Sequence, residues 1–184
     1  MTGLAEEADA LFGQVRGVMS AIPADRLDAL AQAIAQARIC ALYGQGRAGL
    51  VMEAFTMRLH HLGVDAHAVG AMNASPVGPG DLFLVNAAMG DLPTALALIA
   101  SARRAGAGVA LFTAAVDSDA AADADHVVPI PALMGRGVDP TGPLVMGGAY
   151  EWALLGATEL LVHRIMRPLG VTQDAMWARH ANLL

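Results

Sequence analysis

A chain of 184 residues is one domain's worth, large enough to bury a full core. Hydrophobic residues make up 55% and charged ones 15%, with a mean hydropathy of +0.48, which suits parallel strands covered on both faces and further apolar surface buried between subunits. A net charge of −6 without a basic cluster argues against nucleic acid, and all 11 basic side chains are arginine, which excludes lysine Schiff bases, pyridoxal-phosphate chemistry and a Walker lysine.

The start, Met1-Thr2-Gly3-Leu4-Ala5-Glu6-Glu7, is acidic and lacks the basic opening of a signal peptide. Apolar spacing then predicts a helix from about Leu4 to Met19 and a second over 24–37, after Ile22-Pro23. From there strands and helices alternate. Strands are predicted at 38–43, 65–69, 82–87, 108–113 and 126–130, and helices at 47–62, 91–105 and 118–123. The first strand carries the single cysteine, Cys40, read as a reduced, structural thiol of a cytoplasmic protein. A Gly/Pro-rich segment over 131–142 reads as the most mobile loop. A long helix is expected after Pro143, reaching about Arg167; Glu151, Glu159 and His163 break its apolar run below membrane-spanning character. Pro168-Leu169-Gly170 should separate it from a last helix after Thr172. Strands joined by helical crossovers imply a doubly wound parallel sheet, with its ligand beyond the carboxyl ends of the strands where strand order reverses.

The most informative segment is Gly44-Gln45-Gly46-Arg47-Ala48-Gly49, between the first strand and its helix. A glycine-rich turn there aims free backbone N–H groups and the positive end of a helix dipole at one point, which suits an anion. Gly44-x-Gly46-x-x-Gly49 also fits the dinucleotide fingerprint, but the second strand, Asp65-Ala66-His67-Ala68-Val69, has its acid at the wrong end for a ribose. The dinucleotide reading is therefore the weaker one. The six histidines, among them the pair His60 and His61, of which one should face the core, show no metal-ligand spacing.

Three segments carry a family resemblance. They are Gly44 to Val51 continuing through Ala54-Phe55-Thr56-Met57-Arg58-Leu59-His60-His61-Leu62-Gly63, then Pro79-Gly80-Asp81-Leu82-Phe83, and the ending Met176-Trp177-Ala178-Arg179-His180-Ala181-Asn182-Leu183. The chain resembles the sugar isomerase (SIS) family, and within it the 6-phospho-3-hexuloisomerases, over nearly its whole length. The resemblance implies a single domain over 1–184, with leading helices in 1–37, the sheet in 38–142 and C-terminal helices in 143–184. Its fold would be α/β, a three-layer, doubly wound, five-stranded parallel sheet in flavodoxin-like order. It also implies proton transfer through an enediol with neither metal nor organic cofactor. Pro143 to Glu151 matches the stretch before the family's catalytic glutamate, so Glu151 is the implied base and His180 the implied acid or oxygen-polarising group, reaching a neighbouring subunit's cleft in a homo-dimer or homo-tetramer. Gly44, Gly46, Arg47 and Ala48 correspond to one side of the implied phosphate site, and Ala87, Met89, Gly90 and Asp91 to the other. Ser75, in the loop after the second strand, matches a family threonine before proline, which implies that it touches a sugar hydroxyl.

Two departures qualify the match. Where the family has Gly-x-Gly-Arg-Ser-Gly, this chain has Ala48, and where it has Ser-Gly-Ser-Gly-Glu-Thr, this chain reads Ala87-Ala88-Met89-Gly90-Asp91-Leu92. Each charge-assisted hydroxyl–phosphate bond contributes about 1.5–3 kcal/mol. Losing them together points to a changed ligand, so the expected substrate is a hexulose phosphate or a related sugar lacking the phosphate. Two readings of another class remain beside the isomerase: a non-catalytic SIS module that binds a sugar or serves in assembly, and a lyase or dehydratase on the same scaffold.

Overall fold

In the computed structural model, residues 3–134 and 142–183 are described. The 131–142 loop expectation therefore falls largely outside the described residues. Helices α1 (Leu4–Ser20) and α2 (Ala24–Gln36) precede β1 (Cys40–Tyr43). Then follow α3 (Gly46–Leu62), β2 (Ala66–Ala68), β3 (Leu82–Asn86), α4 (Pro93–Ala105), β4 (Gly108–Thr113), α5 (Asp119–Ala122) and β5 (His126–Pro129). The C-terminal helices are α6 (Gly148–Leu169) and α7 (Gln173–Trp177).

All strand pairs are parallel, in the order β2-β1-β3-β4-β5. Side-chain alternation divides the core. Cys40, Leu42, Leu82, Leu84, Ala110, Phe112 and Val128 point to one face, under α2, α3 and α6. Ala41, Phe83, Val85, Val109 and Leu111 point to the other, under α4 and α5. This is the doubly wound, three-layer arrangement that the sequence implied, with β1 and β3 adjacent at the reversal of strand order. The loops leaving β1 and β3 therefore open onto the same crevice.

Most elements shift by a residue or two at their ends, and the boundaries of α4 and α6 differ from expectation for a physical reason. Helix α4 begins at Pro93 rather than 91, because Gly90 is left-handed (φ +75°) and a proline at the first turn pre-sets φ while lacking the N–H that would be unpaired there. Helix α6 begins at Gly148, well after Pro143, because Met146 (φ +52°) and Gly147 (φ +82°) are both left-handed. At its other end it runs on through Pro168 to Leu169 and stops at left-handed Gly170, so the proline lies in the last turn instead of between helices. Cys40 is fully buried, and burial, with Asp81 and Asp65 nearby, pushes its thiol up to about 12, so it packs as a neutral side chain. No helix among the described residues is long and apolar enough to cross a membrane.

Candidate functional site

The glycines of the first turn have a steric cause. A Cβ on Gly49 would sit 2.7 Å from the Gly44 carbonyl oxygen, and one on Gly44 would sit 2.9 Å from Gly49 Cα. The end of β1 thus runs directly against the first turn of α3. Gly46 is left-handed at φ +62° and faces open space, which turns the chain into the helix. Gln45 gives α3 no side-chain cap, and no acid of α3 stands in its first turn, so the leading N–H groups are not capped by the helix's own residues.

Into the same crevice comes Glu151, in the first turn of α6. Arg47 Nη1 lies 3.0 Å from Glu151 Oε2. The arginine side chain is 66% exposed and the glutamate 17%. Yet Oε2 accepts no aligned hydrogen bond among the described residues, so the pair is a charge contact without the directional fork of a bidentate bridge. Behind Glu151, fully buried Tyr150 accepts a 2.6 Å hydrogen bond from Asn86 Nδ2 at the end of β3. Burial raises the Tyr150 pKa, outweighing that bond, and keeps the phenol neutral. This strut ties the carboxyl end of the sheet to the helix that carries Glu151. Its sequence signal is the single amide closing an otherwise apolar strand, Leu82-Phe83-Leu84-Val85-Asn86.

The second turn is less available to an anion. Ala87 N–H donates to Phe112 O, Gly90 N–H donates to Ala87 O, and the Ala88 carbonyl accepts from both Ala114 N–H and the Thr113 hydroxyl. Ser118, whose own hydroxyl donates to Ala115 O, packs against Gly90. Met89 is 54% exposed, and exposed Asp91 does not cap α4, whose N-cap is Leu92. Ala48 is buried in the core cluster at the base of the α3 turn. Ser75 lies elsewhere. It lines a pocket of about 210 Å³ with His67, Val77, Leu98 and Ser101, on the α4 face of the sheet.

His180 is also not at the crevice of its own chain. Its ring stacks on His61 at 5.4 Å and lies 5.3 Å from Trp177. His61 sits near the C-terminal end of α3 while Arg47 sits at its start, about 20 Å away along the axis. Arg179 fixes this tail, donating from Nη1 to the His61 carbonyl at the negative end of α3 and to the Ala175 carbonyl of α7. The His180 Nδ1 lies 3.0 Å from Ala181 O, a contact that holds the ring in place. Between α3, α6 and α7 opens a cleft of about 360 Å³, lined by Arg58, His61, Glu159, His163, Trp177 and His180 among others. Of the histidine pair on α3, His61 is buried and His60 exposed. Among the described residues no three His, Cys, Asp or Glu side chains form a metal-sized cluster.

Burial lowers the His61 pKa below 6.5, and the neighbouring His180, Arg58 and His60 lower it further. The folded state therefore binds fewer protons there than the unfolded chain. Its stabilising share is fully present above about pH 7 and is lost as pH falls below 6.5. Melting temperatures of wild type and His61→Phe should differ by a constant above pH 7, with wild type losing ground progressively in acid.

No family model matches the chain. Its curated relatives include the 3-hexulose-6-phosphate isomerase of Mycobacterium gastri, 31% identical over 174 residues that cover 92% of this chain and 86% of that protein. The enzyme of the same name from Methylomonas aminofaciens is 33% identical over 140 residues, covering 76% of this chain and 77% of the relative. Among solved structures, a Methanococcus jannaschii protein for which a 3-hexulose-6-phosphate isomerase function is inferred superposes with a TM-score of 0.83. It is 23% identical and covers 97% of this chain and 99% of its own, a likeness of fold.

Proposed function

The chain belongs to the sugar isomerase (SIS) family, among relatives named 3-hexulose-6-phosphate isomerase, and from that premise we propose that it interconverts a 3-hexulose 6-phosphate with its 2-ketose isomer. The observation that carries this reading is the placement of one carboxylate, Glu151, beside the uncapped start of α3 and Arg47. With the phosphate at the α3 amides, Glu151 takes the proton from C2 of the sugar. The C2–H electron pair becomes the C2=C3 bond of a 2,3-enediolate, with the negative charge on O3. The carboxylic acid returns the proton to C3 while a proton passes from O2 to O3, leaving the carbonyl at C2. The shuttle is closed: one proton leaves carbon, one returns, and no redox partner is consumed.

His180 supports this chemistry only in trans, since its own chain holds it at the far end of α3. The assembly we propose is a homo-oligomer held through apolar faces that one chain leaves open. On α1 and α6, Phe12 and Trp152 meet edge-to-face at 6.0 Å, and Leu155 and Leu160 are 38% and 42% exposed beside them. Mixing Glu151→Gln and His180→Ala subunits should then restore activity that neither variant shows alone. Mixed oligomers as inactive as both parents, or a monomer in sedimentation at micromolar concentration, would remove His180 from the mechanism. A reducing, cytoplasmic setting fits the lone buried thiol.

The testing experiment supplies 3-hexulose 6-phosphate and follows fructose 6-phosphate, with Glu151→Gln as control. Binding without turnover would favour the non-catalytic sugar-binding module, for which the hydroxyl-free turns at Ala48 and Met89 are the specific support.

A further inference from the structure

The isomerase reading leaves one arrangement unexplained: the cation expected to hold the substrate's anionic end is instead resting on the base. We infer that the Arg47–Glu151 contact is a latch opened by the substrate's phosphate, which makes Arg47 the residue that selects phosphorylated sugars at the chemical step as well as in binding. The inference rests on the assignment of Glu151 as base.

The two partners are unequal in freedom. Arg47 is two-thirds in water and meets Glu151 without an aligned hydrogen bond, so it can swing away without repacking. Glu151 is largely enclosed, and its neighbour Tyr150 is bonded to Asn86, so the carboxylate stays. They are unequal in competition too. A phosphate carries a charge of about −1.5 to −2 on three oxygens, against one carboxylate charge, and at the start of α3 it gains backbone N–H groups as well. The serine-type hydroxyls that would otherwise share the phosphate are replaced by Ala48 and Met89, which leaves Arg47 as the cationic side chain at this turn. An unphosphorylated sugar brings no anionic group and leaves the guanidinium where it is.

While Arg47 remains, it occupies the approach to Oε2 that a substrate C–H needs, since a general base works within about 2.6–3.2 Å of its proton's carrier. Once the phosphate draws it off, that approach opens. Binding energy from the remote end of the substrate is thereby converted into rate at the reacting carbon.

The test is a comparison of wild type with Arg47→Gln on 3-hexulose 6-phosphate and on the unphosphorylated 3-hexulose. The latch predicts a KM increase for the phosphorylated sugar and a kcat increase of about tenfold for the unphosphorylated one, because the base is no longer covered. A simple anchor would give the KM increase alone, so an unchanged or lower kcat on the unphosphorylated sugar overturns the proposal. Crystals soaked in inorganic phosphate give a readout independent of turnover. Arg47 should be found on the anion, with Glu151 Oε2 clear of it. A guanidinium still on Glu151, or no anion at the start of α3, overturns the latch. If phosphate moves Arg47 but wild type fails to convert the sugar phosphate, the isomerase reading alone has failed.

Discussion

Glu151→Gln is expected to lower kcat by about 100- to 10,000-fold, the range over which a positioned general base acts. The substitution keeps the shape of the side chain, its place in the first turn of α6 and the Tyr150–Asn86 strut behind it. What it removes is the ability to take a proton from carbon. KM for the sugar phosphate should change little if, as proposed, the phosphate is held by α3 and not by Glu151. With its charge gone, Arg47 loses its resting partner, so any shift in KM should be toward tighter binding. Steady-state formation of fructose 6-phosphate, with circular dichroism to verify folding, measures both. A variant retaining more than about a tenth of wild-type kcat would remove Glu151 from the chemistry.

Phe55→Ala should produce a large loss of stability outside the crevice. Phe55 lies in the middle of α3, 1% exposed, within the same cluster as Ala153, Ala157 and Leu161 of α6. Truncating a buried phenylalanine costs about 3–5 kcal/mol, the lost transfer energy plus the cavity left behind. Against a total of about 5–15 kcal/mol this is a large fraction, and at about 2–4 °C per kcal/mol the melting temperature should fall by about 10 °C. Activity should fall further than the folded fraction does. Helix α3 carries Arg47 and the free amides while α6 carries Glu151, and a displacement of about 1 Å between them can cost about 100-fold in rate. Calorimetry and kcat at a temperature where the variant is folded separate the two effects. A melting temperature within a degree or two of wild type would mean that α3 is not seated through this residue.

Much of this architecture is legible in the residues. Short apolar strands spaced by helical patterns give the parallel sheet, because period and length are local properties. Glycines at 44, 46 and 49 mark the turn, because a backbone approach of this closeness excludes a Cβ. The resemblance in the Pro143–Glu151 stretch identifies a carboxylate that the fold does deliver to the crevice. What could not be read is where tertiary contacts decide. Met146 adopts a left-handed conformation that nothing in its own chemistry favours, which delays α6 past the point suggested by Pro143. Arg179, on the last turn of the chain, reaches the carbonyl end of α3 and so holds His180 far from Glu151. Ser75 follows a strand as a crevice residue would, but its loop descends the flank of the sheet toward Ser101. Arg47 resting on Glu151 joins residues from opposite ends of the alternating pattern, beyond the reach of any local signal.

The Glu151→Gln protein should bind a sugar phosphate without consuming it, and where the sugar sits tests the placement of Glu151 most directly. A crystal structure of that complex is predicted to place the phosphate within about 3 Å of the Gly46–Ala48 amides. C2 of the sugar should then face the side chain at position 151. A phosphate bound in the Ser75 pocket or in the cleft beside Trp177, with residue 151 away from the sugar carbons, would contradict it.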